Sequence, residues 1–186
     1  MNITIPTNTL KAMLGFAAKK DVRYWLNALC LDFGPRYTAL VGTTGSILAA
    51  YKLDDSRNDP ALGRVILPRD AIETALKAAG KASEITITNT HIGLVPYTPV
   101  DARYPDWQAV IPMNVDDEAL PAQINPDLLV PFQKAAKLLG DTKWANVHLW
   151  HNGPERALLV SLKDENFVGV LMPLRELEAA KKPGWL

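Results

Sequence analysis

Three times along this chain a short apolar stretch runs into a proline, then an alanine- and lysine-rich helical segment, then a train of strands. The first copy has residues 3–5, Pro6 and a helix over 10–19; the second has 65–67, Pro68 and a helix over 71–79. The third opens around Ile124, with Pro126 and a helix over 128–139. The prolines stand about sixty residues apart, so the unit is supersecondary rather than the short repeat of a solenoid. Such a unit leaves one sheet face and one helix stripe uncovered, and it must pack against another copy.

Within unit one, Leu10, Met13, Leu14 and Ala17 recur at helical spacing, with Thr7, Asn8 or Thr9 as candidate caps. Strands are expected at 24–32, 37–41 and 46–52, turned by Gly34-Pro35 and by residues 42–45, before a charged loop at 54–60. In unit two, Ile72, Ala75, Leu76 and Ala79 share a helix face and Gly80 stops the helix. Residues 84–88 alternate Ile and Thr, a half-buried strand, and 91–97 is the next strand. Residues 100–112 are irregular, aromatic and bounded by prolines, and 114–122 are acidic and weakly patterned, which marks a linker. Unit three places strands at 145–151, 156–161 and 166–171, turned by Asn152-Gly153 and by 163–165. Pro131 inside its helix is expected to kink it or to confine the regular part to the residues after the proline. A tail at 176–186 ends in Trp185-Leu186.

Apolar residues at 48% and charged residues at 22% exclude a disordered chain. Twenty basic and twenty acidic residues cancel, so any electrostatic function must come from where the charges sit. The one cysteine, Cys30, lies in an apolar run and reads as a small buried hydrophobe, which fits a reducing compartment. No apolar run approaches the roughly 20 residues of a membrane span, and the expected location is the cytoplasm.

No catalytic constellation is visible, and no enzyme activity or cofactor is expected. His148 and His151 lie three apart in a predicted strand and point to opposite faces, and His91 is remote, so no metal site is expected. The run from Gly42 to Ser46 looks like a phosphate cradle, but it lacks the Lys-Ser/Thr ending and precedes a strand, so a hairpin turn is expected. Asp54, Asp55 and Asp59 are read as a solvated loop rather than a cation site.

The basic residues have a pattern. Lys11, Lys19 and Lys20 lie on or just after the first helix, Lys77 and Lys81 on or after the second, and Lys134, Lys137 and Lys143 on or after the third. Helix dipoles favour lysines at C-termini, which explains part of it. The functional alternative is a helical surface that offers lysines to a phosphate backbone without reading sequence.

Residues 22–32 (VRYWLNALCLD), 39–48 (ALVGTTGSIL), 65–69 (VILPR) and 100–112 (VDARYPDWQAVIP) resemble, in order, the middle domain of the bacterial β sliding clamp, the processivity ring of DNA polymerase III. Residues 168–175 (VGVLMPLR) resemble the clamp's C-terminal ending. The resemblance implies an α+β DNA-clamp fold, with helices on one face and antiparallel sheets on the other: 1–113 as one complete domain (units 1–53 and 63–113), 114–122 as linker, 123–175 as a half-domain, and 176–186 as a tail. The clamp's first domain and the first half of its last domain have no counterpart.

The resemblance carries further expectations. The chain is expected to be a non-enzymatic processivity factor that holds duplex DNA without sequence preference and tethers replication proteins carrying a clamp-binding linear motif. The family's peptide cleft carries over to Leu26, Thr43, Gly45, Leu48, Pro105, Val110, Val170, Met172, Pro173, Leu174 and Arg175. The DNA-facing lysines would be Lys11, Lys19, Lys20, Lys77, Lys81, Lys134 and Lys137. The family's Asp-Gly-His-Arg stretch reads Thr44-Gly45-Ser46-Ile47 here, and its basic position before Val110 is Ala109, which strips polar specificity from the rim. An odd number of half-domains implies self-association: two chains could complete a shared domain from their third units, and two such pairs a six-domain ring, as a dimer or tetramer. The alternative function is a clamp-derived interaction module or decoy that binds client peptides or another clamp without encircling DNA, with Trp185-Leu186 as a candidate docking terminus.

Overall fold

The computed structural model describes residues 1–53, 59–116, 118, 121–140, 144–175 and 184. Asp54, Asp55, Lys143 and Trp185-Leu186 lie outside the described residues, as do Asp117, Ala119 and Leu120 of the linker. Unit one comprises β1 (Asn2–Pro6), α1 (Thr7–Leu14), β2 (Ala28–Phe33), β3 (Thr38–Thr43) and β4 (Ile47–Leu53). Unit two comprises β5 (Arg64–Pro68), α2 (Arg69–Ala79), β6 (Glu84–Thr88), and two short strands, β7 (His91–Ile92) and β8 (Val95–Pro96). Unit three comprises α3 (Val130–Leu139), β9 (His148–Trp150), β10 (Leu158–Ser161) and β11 (Phe167–Leu171).

Units one and two interlock by exchanging their first strands. β1 pairs antiparallel with β6, and β5 pairs antiparallel with β2. Two antiparallel sheets result, one ordered β1-β6-β7-β8 and the other β5-β2-β3-β4-β11-β10-β9. The larger sheet runs unbroken from unit one into unit three, because β11 adds to β4 with Val170 opposite Leu48 and Leu171 opposite Ile47.

The period of two in the strands separates two cores. Along β2, Leu29, Leu31 and Phe33 face the helices, whereas Ala28 and Cys30 face outward. The inner core gathers Leu10, Met13 and Phe16, Ile72 and Ala75, and Phe132 and Ala135 over both sheets. Phe16 and Phe132 meet edge-on at 4.8 Å between ring centres, and Phe167 lies 5.8 Å from Phe16, so three aromatic rings join α1, α3 and the sheet. Gly169 is required there, because a Cβ on it would collide with the Phe132 ring. On the outer face, the irregular segment 100–112 seals the larger sheet: Tyr104 and Trp107 are buried against Cys30, Val41 and Ile66. Burial pushes the Cys30 thiol up to about 12 and the Tyr104 phenol further up.

Several local expectations are corrected. The first helix ends at Leu14 rather than at residue 19. Its end tightens into i to i+3 bonds, Gly15 N–H to Ala12 O and Phe16 N–H to Met13 O, while Ala18 N–H bonds to Leu26 O. Residues 16–18 are all buried, so they belong to the core without being helical. No side chain caps α1; instead Thr7 N–H donates to Ser83 O at 2.8 Å and Thr7 Oγ1–H to Ala82 O at 2.7 Å, both from unit two. β2 begins only at Ala28, after a 3-10 turn over Tyr24–Leu26. The strand expected over 91–97 folds back on itself at Gly93 (φ 59°) into β7 and β8. At Pro131 the expectation holds: the regular α-helix starts at Val130 with Pro131 in its first turn, where the missing N–H costs nothing, and a 3-10 turn over Pro126–Leu129 leads in. No strand forms around Ile124, because that strand exists in units one and two only by pairing with the other unit.

Candidate functional site

The β3–β4 turn, the 3-10 turn before β2, the outer segment 100–112 and the end of β11 converge on one concavity of about 400 Å³. Its buried wall is Leu26, Thr43, Ile47, Leu48, Trp107 and Val170. Its exposed rim is Arg23, Gly45, Ser46, Pro105, Asp106, Val110 and Met172, with Trp25 half-buried between. Leu48 and Val170 are the cross-strand pair that joins unit one to unit three, so the wall is composite.

Each element is held for a local reason. Thr43 Oγ1–H donates to Ile47 O at 2.7 Å and Gly45 N–H donates to Thr43 Oγ1 at 3.0 Å, which closes the turn around Gly45 at φ 93°. The hairpin turn expected here forms over residues 44–46, while Gly42 and Thr43 belong to β3 and pair with Ala49 and Leu48. Met172 N–H donates to Ser46 O at 2.9 Å and extends the β4–β11 pairing to the rim. Trp107 is anchored by its indole Nε1–H, which donates to Asp32 Oδ2 at 2.7 Å; Arg64 Nε–H reaches the same oxygen at 3.0 Å. The Arg23 guanidinium lies over Gly45 and is tied to Asp21 by two bonds of 3.0 and 2.8 Å. Those hydrogen bonds draw the Asp21 carboxyl down to about 2 and push the Arg23 guanidinium up. The rim thus carries one held cation and one carboxylate, Asp106, around apolar walls. A concave, mostly apolar lining with a few polar groups at its rim is the general character of a binding cleft.

Of the eleven cleft residues named from the sequence, Leu26, Thr43, Gly45, Leu48, Pro105, Val110, Val170 and Met172 line this cavity together. Pro173, Leu174 and Arg175 do not: past Met172 the chain turns toward the linker, where Leu174 N–H donates to Gln123 O at 2.8 Å. Arg23, Trp25, Ser46, Ile47, Asp106 and Trp107 were not named, although all six fall inside or beside the segments that carry the resemblance. The available signal was an aromatic residue flanking an apolar one, in Trp25-Leu26 and in Asp106-Trp107.

The seven lysines are all exposed, and none forms an ion pair among the described residues. Lys11, Lys77 and Lys137 occupy the last turns of α1, α2 and α3, and Lys134 lies one turn earlier on α3. Lys19 and Lys20 follow α1 in the non-helical segment, and Lys81 follows α2. The histidines stay apart: His91 Nδ1 bonds to Thr90 Oγ1, and His151 Nδ1 accepts from Ala122 N–H. Among the described residues no three of His, Cys, Asp or Glu cluster as metal ligands, and no helix is long and apolar enough to cross a membrane. Asp59 Oδ1 accepts from Ala61 N–H and starts a 3-10 turn.

No protein-family model matches the chain. The β sliding clamp of Escherichia coli K12 is 24% identical over 195 residues, covering 94% of this chain and 52% of that protein. The β sliding clamp of Pseudomonas aeruginosa is 31% identical over 129 residues, covering 62% of this chain and 35% of that protein. The chain spans about half the length of the curated relatives it matches. Among solved structures, a P. aeruginosa DNA polymerase sliding clamp aligns at a TM-score of 0.69 with 19% identity, over 95% of this chain and 66% of that one. A putative DNA polymerase III β subunit from Eubacterium rectale aligns at 0.71 with 12% identity, over 95% and 66%. In sequence the chain is similar to about half of the bacterial β sliding clamps, and its fold is that of the solved DNA polymerase III sliding clamps.

Proposed function

We propose that the chain is a compact, non-enzymatic, sliding-clamp-like processivity factor. Residues 1–113 act as one clamp domain and 123–175 as a half-domain joined through 114–122. Its helices offer Lys11, Lys19, Lys20, Lys77, Lys81, Lys134 and Lys137 to duplex DNA, and its outer cleft takes a linear apolar motif from a polymerase or another replication protein. The observation that carries this is the composite cleft: a concave apolar wall between unit one and unit three, with an adaptable methionine at its lip. The partial span of the relatives makes DNA tracking and client tethering properties of this proposal rather than of the likeness.

The test is fluorescence anisotropy with a labelled peptide carrying a polymerase's clamp-binding motif. Val110 and Met172 are 48% and 40% exposed, so Val110→Glu and Met172→Glu alter the rim without touching the core. Each is expected to weaken binding by about tenfold, the loss of ~1.4 kcal/mol of apolar contact, with the melting temperature unchanged. Affinity that ignores both substitutions would remove the cleft from the proposal. Peptide binding without retention on closed circular DNA would instead identify an interaction module that does not encircle DNA.

A further inference from the structure

The cleft has a neighbour on the outer face of the larger sheet. A second cavity, of about 340 Å³, lies at the β2–β3 turn and is lined by Asp32, Pro35, Arg36, Tyr37, Trp107 and Gln108 among others. Trp107 lines both cavities, so the two share one buried indole as a wall. Strand register gives their spacing. Leu48, in the cleft wall, stands four residues before Lys52 on β4; Lys52 is opposite Ala39 on β3, and Ala39 is opposite Asp32 on β2. Four strand residues span about 13 Å, so an extended chain seated in the cleft comes level with the second cavity after about four residues.

The two cavities differ in their unmatched charge. Arg23, on the cleft rim, is held by Asp21 at 2.8 Å, and Arg64 is held by Asp32 at 3.0 Å. Asp32 Oδ2 also accepts the Trp107 indole N–H at 2.7 Å, so the carboxylate in the second cavity is already matched. Arg36 is exposed and forms no ion pair among the described residues. Gln108, in the same lining, is exposed as well and brings an amide donor. The cleft rim carries the opposite charge: Asp106 is exposed and likewise without an ion pair among the described residues.

We propose that the second cavity is a subsite for an acidic residue flanking the apolar motif of a client peptide, with Arg36 as the residue that selects it. The inference rests on the reading of the cleft as a peptide site. A carboxylate directly beside the apolar anchor meets the like charge of Asp106. One about four residues further along meets the Arg36 guanidinium, whose planar fork matches a carboxylate, and the Gln108 amide. Both groups lie at the surface, so the gain is modest and is screened by salt.

Fluorescence anisotropy on the full chain tests it with three labelled peptides: the apolar motif alone, the motif with an extension carrying Glu about four residues on, and the same extension carrying Gln. The extension is placed in turn at either end of the motif. At one end the Glu peptide is expected to bind about threefold tighter than the Gln peptide at low salt, with the difference fading as salt rises. Arg36→Gln is expected to abolish that difference and Arg36→Lys to keep part of it, while both bind the motif alone as the wild type does and melt at the same temperature. Glu and Gln extensions that bind equally at both ends overturn the subsite and leave the cleft standing, as does a Glu preference that survives Arg36→Gln. A motif peptide that fails to bind at all removes the cleft, and the subsite with it.

Discussion

Arg69 is the residue whose removal should cost the fold most for its size. It opens α2, yet its side chain reaches across to unit one, where Nη1 donates to Leu14 O and to Ala17 O, each at 2.8 Å. Those carbonyls lie at and just past the end of α1, where backbone acceptors lack helical partners. Among the described residues, the other backbone bond to Leu14 O is a long one of 3.4 Å from Ala17 N–H. Arg69 Nε–H also meets Glu73 Oε1 at 2.8 Å, but the Glu73 side chain is 40% exposed against 14% for Arg69. The carbonyl bonds should therefore dominate, because hydrogen bonds from a charged group are worth about 1.5–3 kcal/mol each, whereas a solvated ion pair is worth about 0–1. Some water returns to the vacated site, so Arg69→Met, which keeps the aliphatic stem, is expected to cost about 2–4 kcal/mol. With a urea slope of roughly 2 kcal/mol/M the midpoint falls by roughly 1–2 M. Glu73→Gln should cost under about 1 kcal/mol, and Arg69→Lys should fall between, since an ammonium lacks the planar fork. Urea unfolding followed by tryptophan fluorescence and circular dichroism measures all three. Equal costs for Arg69→Met and Glu73→Gln would refute the reasoning, because the ion pair rather than the helix end would then carry the energy.

Gly169→Ala drives a methyl group into Phe132 and should cost about 1–3 kcal/mol; combined with Phe132→Leu it should cost less than the sum, by about 0.5 kcal/mol or more in a double-mutant cycle. Alkali should destabilise the protein. Cys30 is pushed up to about 12 and Tyr104 further up, so above pH 9–10 these groups ionise in the unfolded chain and stay neutral in the folded one. The folded state then holds more protons, and each such group removes roughly 1.4 kcal/mol of stability per pH unit, read as a falling melting temperature. A melting temperature that is flat or rising through that range contradicts the burial. In the same vein, Cys30 should resist a thiol reagent at pH 8 until denaturant is added. Lys77→Glu with Lys134→Glu should weaken DNA association, and wild-type association should fall as salt rises; salt-insensitive binding would exclude a phosphate contact surface.

Whatever depends on local period was legible in the sequence. Ile3 and Ile5, Leu29 and Leu31, and Ile85 and Ile87 occupy the alternate inward positions that their spacing requires. The proline before each helix, the Gly80 stop and the Gly45 turn were readable because they answer to backbone conformation within a few residues. The features that escaped were decided by contacts distant in sequence. α1 looks helical to residue 19, but Arg69 and Leu26 claim its last backbone groups. The strand expected near Ile124 is missing for want of a neighbouring unit. At the cavity, the resemblance supplied Leu48 and Val170 but not Trp107, whose place depends on a bond to Asp32, 75 residues away. The resemblance extends the cleft to Pro173, Leu174 and Arg175, which do not line the cavity; Leu174 N–H donates to Gln123 O instead.

The alternation along the shared sheet also decides whether the two proposed activities can coexist. Residues one apart on a strand face opposite sides, so Leu48 and Val170 look outward into the cleft while Ala49 and Leu171 belong to the helix-side core. The helices α1, α2 and α3 that carry the lysines therefore pack on the face of the sheet opposite the cleft. A peptide in the cleft and a phosphate backbone on the helices would touch no common side chain, and neither would displace the other. The β4–β11 seam couples them, since unit three carries both Val170 and the helix with Lys134 and Lys137. A one-residue slip at that seam would turn Val170 inward and Leu171 outward, destroying the cleft wall and tilting α3 together. The two proposed functions on opposite faces would thus depend on a single strand register, which Gly169, the Phe132 ring seated on it, and the Met172–Ser46 hydrogen bond all hold.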